Sequence, residues 1–321
     1  MSKSFACTVL ACCLPHVVSA QEARPSTSTD AGKGIRFINE AGALGILIDG
    51  VRVATYHHAH AKTTRPFFAD VFSLSARPVK VSRNFPPVEG VDADDHAAMH
   101  PGIWLAFGDI GGADVWRLKA RVEHVEFVER REGEARASFT VRNRYVDGDR
   151  VVCEETCTHA IVRHAGGYLI TYDSKFTSDR ADFAFGDQEE MGLGIRVATA
   201  ITVKGGGSML DSEGRKDERG TWGQPADWLD YRGVIDGREV GMTLMGHPEN
   251  FRRAWFHSRD YGAAVLNPFG RKAMHQGPES KVAVRRGETL HFRCGVFVHD
   301  ALGGAPVDPA KAYRAFVGAF E

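Results

Sequence analysis

Residues 122–128 (VEHVEFV), 137–145 (ASFTVRNRY), 151–159 (VVCEETCTH) and 168–176 (YLITYDSKF) follow one another with short connections. Asp147-Gly148 and Gly166-Gly167 fall in two of those connections. Such dipeptides supply the positive φ that a tight hairpin needs, and the flanking β-branched and aromatic residues suit pleated strands. The run therefore predicts an antiparallel meander. Asp49-Gly50, Asp236-Gly237 and Arg286-Gly287 repeat the signal. Leu44, Ile46 and Ile48 alternate before the first of them, and Val51 and Val53 after it. Residues 199–203, 234–235, 240–245, 282–284 and 290–298 read as further strands. The expectation is an all-β chain, a large antiparallel β-sandwich formed as one domain over residues 35–321. Its clearest helix is terminal, over 308–320. Asp308 suits the cap, Pro309 the first helical position, and Ala312, Phe316, Val317 and Phe320 form an apolar stripe. Gly205-Gly206-Gly207 and the charged residues 211–220 read as a surface insertion, either a mobile loop or plain solvated surface.

The beginning of the chain reads differently. Lys3, the apolar residues 5–14 and Val18-Ser19-Ala20 match a secretory signal peptide over 1–20, followed by a flexible segment over 21–34. A periplasmic or secreted protein is expected, with a lipid-anchored form through Cys12 as the alternative. Roughly 290 residues then form the domain, and none of its segments approaches eighteen uninterrupted apolar residues, the length a membrane-spanning helix needs. Lys and Arg number 40 against 41 Asp and Glu, without a long basic run, so nucleic-acid binding is not expected. Of six cysteines, Cys153, Cys157 and Cys294 lie beyond the signal. In a regular strand Cys153 and Cys157 stand about 13 Å apart and cannot join each other. One of them bridged to Cys294, or three buried free thiols, are the two arrangements left open.

Residues 94–109 (DDHAAMHPGIWLAFGD) carry the densest chemistry. His96 and His100 are four apart, so a single helical turn puts both imidazoles on one face. Pro101 should end that turn, and Gly102 should release the chain into a strand over 103–107. Three other clusters combine acids, aromatics and basic residues: 188–196, 221–231, and 247–269. Aromatic faces stack on a pyranose, carboxylates and arginine bind its hydroxyls, and an imidazole paired with a carboxylate moves protons. His96, His100 and His247 are the acid or base candidates, with Glu190 and Asp230 as carboxylate partners. Arg65 and Arg196 are candidates for binding oxygen substituents. Trp104, Trp228, His257, Asp260, Tyr261 and Asn267 complete the set, and all are expected to converge on one cleft. The residue after His96 is Ala97, which departs from the zinc-protease spacing. No G-x-S-x-G, P-loop or dinucleotide fingerprint is present.

The chain resembles a secreted bacterial family labelled PmoA-like, or methane oxygenase PmoA. The resemblance rests on Arg65-Pro66-Phe67-Phe68, Arg83-Asn84-Phe85-Pro86-Pro87, residues 95–116 and 189–196, Trp228-Leu229-Asp230-Tyr231, His247-Pro248 and residues 260–269. The family's His-Pro-His-His-Arg-Gly stands here as Ala97-Ala98-Met99-His100-Pro101-Gly102, so a role needing adjacent histidines or that arginine does not carry over. The oxygenase label belongs to a membrane enzyme built on spanning helices, and the sequence offers no such helix. The resemblance implies instead a sandwich like the galactose-mutarotase supersandwich and an activity on carbohydrates. The leading expectation is an exported enzyme acting on a sugar or sugar derivative, a small molecule or an oligosaccharide, by general acid-base catalysis without a cofactor. A non-catalytic carbohydrate-binding protein is the first alternative. A divalent-metal-dependent hydrolase or lyase is the second.

Overall fold

In the computed structural model, which describes residues 1, 32–301 and 306–320, strands dominate. In chain order they are β1 (Ile35–Glu40), β2 (Ala43–Ile48), β3 (Val51–His57), β4 (Phe67–Ala69), β5 (Ile103–Phe107), β6 (Arg121–Arg131), β7 (Arg136–Asp147), β8 (Arg150–His164) and β9 (Gly167–Thr177). There follow β10 (Phe183–Phe185), β11 (Met191–Arg196), β12 (Ser208–Asp211), the short helix α1 (Asp217–Thr221), β13 (Trp228–Ile235) and β14 (Arg238–Gly246). β15 (Trp255–Arg259), β16 (Ala263–Asn267), β17 (Val282–Val284), β18 (Thr289–Asp300) and α2 (Pro309–Val317) complete the order. The predicted signal peptide, its lipid-anchor alternative at Cys12 and most of the segment 21–34 lie outside the described residues.

Two eight-stranded antiparallel sheets carry the fold. The first has the order β1-β2-β3-β4-β5-β11-β16-β15, the second β12-β13-β14-β18-β9-β8-β7-β6. The expected meander is β6 to β9, paired in sequence order. The sheets face each other through aromatics: Tyr56 against Phe139 at 5.0 Å, Phe68 against Tyr172 at 5.8 Å and Phe107 against Phe176 at 5.5 Å. Tyr168 of the second sheet donates to the Val53 and Phe72 carbonyls, at 2.8 and 2.9 Å, and ties the layers together. This is the large antiparallel β-sandwich expected from the turn spacing. α2 lies on the outer face of the second sheet, where Ala312 and Phe316 pack with Leu169, Trp228, Met245 and Phe297. Its cap is Asp308, whose carboxylate accepts from the amides of Ala310 and Lys311.

Two expectations are corrected. Residues 199–203 are not a strand but part of two 3-10 turns, Thr199–Ile201 and Val203–Gly205. Thr202 donates to the Thr199 carbonyl and accepts from the Gly205 amide, both at 2.9 Å, so its hydroxyl replaces the ladder partners a strand would offer. The insertion expected over 211–220 is not a plain loop: it begins at the last residue of β12 and runs into α1. The buried Asp211 carboxylate accepts from the amides of Glu213 and Arg215 and from Arg215 Nε at 2.7 Å, which closes the turn between the two elements. Cys153, Cys157 and Cys294 are free and buried, the second of the two arrangements left open.

Candidate functional site

Side chains alternate across a strand, so cross-strand partners share a face. Trp104 lies opposite Gly194, Gly194 opposite Val265, and Val265 opposite His257. One step along, Arg196 pairs with Ala263 and Ala263 with Arg259. Trp104, Arg196, His257 and Arg259 therefore stand on the face of the first sheet turned away from the second. Gly194 leaves room for the indole, since a Cβ there would meet the Trp104 ring at 2.5 Å.

The histidine loop folds over this face. The amides of Met99 and His100 donate to the His96 carbonyl at 3.0 and 2.8 Å, forming the single turn that the four-residue spacing predicts. His96 stacks on His100 at 5.0 Å, and His100 stacks on Trp104 at 4.9 Å with the rings 11° apart. Trp116 closes the stack edge-on to Trp104. His96 holds φ at 51°, a left-handed conformation rare for a residue with a side chain. His100 is buried, and desolvation, with Arg196, His96 and Arg65 nearby, pushes its pKa well below the usual histidine range. It is a neutral imidazole at physiological pH.

Arginines hold the loop in place. Arg196 Nη1 and Nη2 each lie 3.0 Å from a different oxygen of Asp95. Arg83 donates to the Asp95 carbonyl at 2.7 Å and to that of Ala93. Arg65, fully buried, donates to the carbonyls of Val115 and Trp116 at 2.9 Å and to that of Met99. The two arginines expected to bind substrate oxygens are thus occupied by their own chain. Burial opposes ionisation of Asp95, but the hydrogen bonds and charge of Arg196 outweigh it, and the carboxyl stays below its ordinary range. His96 Nδ1 lies 3.3 Å from the same carboxylate.

A second histidine–carboxylate pair stands across the face. His257 Nδ1 is 3.2 Å from Glu189 Oε2. Arg259 reaches Glu189 at 3.3 Å and Glu218 at 2.9 Å. Glu218 and Asp260 exchange amide-to-carboxylate bonds, each 2.9 Å long. His257, 3.2 Å away, and Arg259 hold the Glu189 carboxyl below its ordinary range against the opposing effect of burial. Between the two pairs lies Tyr261, with the Arg196 guanidinium 4.6 Å over its ring; burial raises its hydroxyl above the ordinary tyrosine range, and the charges of Arg196 and Arg259 offset only part of that.

The remaining candidates take other places. Glu190 pairs with Arg117, which also bonds Asp114 at 3.2 Å and Gln188 at 3.0 Å. Asn267 donates to the carbonyls of Gln188 and Glu189 and accepts from the amides of Phe269 and Gly270, so its amide shapes the chain beneath Glu189. Trp104 is wholly buried beneath His100. Asp230, Trp228 and His247 do not join this face. Asp230 and Trp228 stand on the outer face of the second sheet: Asp230 accepts from Thr243 at 2.6 Å, pairs with Arg232 and lies 2.8 Å from His299 Nε2. Trp228 packs under α2, and His247 lies 5.1 Å from Phe320. The expected single cleft therefore divides, because Asp230 belongs to the second sheet, which faces the first only through the core.

Among the described residues no group of three or more His, Cys, Asp or Glu side chains is placed to hold a metal ion. Asp95, Glu189, Glu218 and Arg259 join the site through the fold, without a signal in the sequence that marks them out. Glu189 neighbours the candidate Glu190 in the bend that leads into β11, and the path of that bend decides which of the two reaches His257. Residues 43–313 match the model of a family described as of unknown function, DUF6807. No curated protein matches the chain.

Proposed function

We propose, from the premise that this chain belongs to the DUF6807 family and that the family name carries no activity, that it is an exported carbohydrate-active enzyme working by general acid-base catalysis on the outer face of its first sheet. The observation that carries the reading is the pair of histidine–carboxylate contacts, His96 with Asp95 at 3.3 Å and His257 with Glu189 at 3.2 Å, on either side of Tyr261. A carboxylate orients the half-exposed His96 imidazole and stabilises its charged form, while His257, whose Nε2 accepts from Arg259 Nε at 3.3 Å, holds Glu189 in place as the second proton-transfer group beside an aromatic ring on which a sugar can stack. A surface that only bound sugar would need the ring but not the pairs. Export rests on the N-terminal apolar run with its Val18-Ser19-Ala20 site, and the PmoA-like resemblance belongs to the same reading.

The test is a panel of mono- and oligosaccharides assayed by calorimetry and for turnover. Binding and turnover are expected. Glu189→Gln and His96→Ala should each keep the fold and cut turnover by roughly 10²- to 10⁴-fold. Binding without turnover would leave a lectin-like protein; no binding to any saccharide would end the reading.

A further inference from the structure

Between the sheets lies a small polar cavity lined by Tyr56, Pro66, Leu105, Val122, Asn143, Tyr145, Glu155, Cys157, His159 and Tyr172, with room of about 20 Å³. It sits directly beneath the candidate site: Pro66 follows Arg65, which anchors the histidine loop, and Leu105 follows Trp104. Polar groups at such depth normally find partners. Glu155 does: it accepts from Ser174 at 2.7 Å, Asn143 Nδ2 at 3.0 Å and Tyr145 at 3.4 Å. Three buried atoms around the cavity have no partner among the described residues, namely the hydroxyls of Tyr56 and Tyr172 and the Asn143 Oδ1.

We propose that this cavity is a binding site for one water molecule, which accepts from the Tyr56 and Tyr172 hydroxyls and donates to Asn143 Oδ1. Three arguments converge. The volume holds about one water and little more, since a buried water needs roughly 10–15 Å³ of such space. Among the atoms lining the cavity the orphans are two phenolic donors and one carbonyl acceptor, which water's two lone pairs and a proton satisfy together. The unpartnered His124 Nδ1, across from Asn143 on β6, lies outside the lining, and its closing onto Asn143 Oδ1 would overturn the assignment. A bare cation supplies no acceptor for the phenols, and burial holds both well above the ordinary tyrosine range, as protonated donors. Tyr56 comes from the first sheet, Asn143 and Tyr172 from the second, so the water bridges the layers under the floor of the candidate site. The neighbouring Cys157 and His159, 3.9 Å apart, do not make a nucleophile there: burial raises the thiol and lowers the imidazole to about 3, leaving both neutral.

High-resolution diffraction should show one peak at about 2.6–3.2 Å from all three atoms. In solution, oxygen-17 or deuteron relaxation dispersion should detect a long-lived internal water that is lost in the folded Tyr56→Phe/Tyr172→Phe variant. If the double variant fails to fold, Tyr172→Phe alone should weaken the same signal. A direct hydrogen bond among the three side chains with no peak would overturn the proposal. So would a peak whose occupancy follows sodium or potassium concentration, or a relaxation signal unchanged in the folded variants.

Discussion

Arg196 and Asp95, 101 positions apart, form a two-pronged ion pair in which each guanidinium nitrogen lies 3.0 Å from its own carboxylate oxygen. Arg196 is almost wholly buried at the end of β11, whereas Asp95 sits on the loop that carries both stacked histidines. The pair therefore converts strand register into the position of an imidazole. A charge-assisted fork fixes both distance and orientation.

Removing either partner leaves the other without its match. Asp95→Ala is expected to cost about 2–3 kcal/mol, the value of hydrogen bonds to a charged group, and to release the histidine loop. Urea denaturation reads the first effect and hydrogen exchange at Met99 and His100 the second. Arg196→Lys, which keeps the charge but loses the fork, should recover only part of the loss. Unchanged protection of the loop amides in Asp95→Ala would show that Arg65 and Arg83 suffice to hold it.

Acid should weaken the fold in part through His159. Its ring packs against Tyr56, Phe139 and Tyr172 at 5.1, 4.9 and 4.5 Å, and burial holds its pKa at about 3. The unfolded imidazole takes a proton near pH 6.5, roughly the value of a free histidine side chain. Below that pH the unfolded chain binds a proton that the folded chain refuses, so stability falls as pH falls, by up to about 1.4 kcal/mol per unit, until about pH 3. Above it this group contributes no slope. His159→Phe keeps an aromatic ring in the cluster and should flatten the decline between neutrality and about pH 5. An equal slope in both proteins would place the acid sensitivity elsewhere.

Asp230 should behave as a structural acid. Fully buried, it is opposed by desolvation, but His299, Arg232 and Thr243 overcome that and hold its pKa at about 2. Its stabilisation is present above the unfolded value near 3.9 and is lost as pH falls toward about 2. Asp230→Ala strands the buried His299, while Arg232 keeps Glu239 at 2.9 Å, and should cost about 3 kcal/mol, seen as a lower melting temperature. Loss of turnover with an unchanged melting temperature would instead restore Asp230 to a site.

Gly194 tests the floor of the candidate site. Its Cβ would stand 2.5 Å from Trp104, whose ring supports His100. Gly194→Ala should therefore displace the indole, at about 1–3 kcal/mol of overpacking. A shift in tryptophan emission with lowered stability is expected; identical emission and melting would mean that the ring moves freely.

Much of this architecture was legible in the chain. Asp147-Gly148 and Gly166-Gly167 announced the meander, Asp308-Pro309 the terminal helix, and His100-Pro101-Gly102 the end of one turn and the start of β5, because these signals act through a few neighbouring dihedrals. Thr202 misled, since its hydroxyl chose a turn over a ladder, and nothing in a β-branched residue alone predicts that choice. The candidate site was half visible. Composition singled out His96, His100, Arg196, His257 and Tyr261, all on the outer side of the first sheet, but it grouped Asp230, Trp228 and His247 with them. Residue type reports what a side chain can do, whereas sheet order decides which of two layers it belongs to, and that order is set by long-range pairing between strands far apart in sequence. The same pairing committed Arg65 and Arg196 to partners within their own chain, and the bend just before β11 carried Glu189, not Glu190, to His257, a one-residue choice that depends on where the chain turns into the sheet and that residue type does not report.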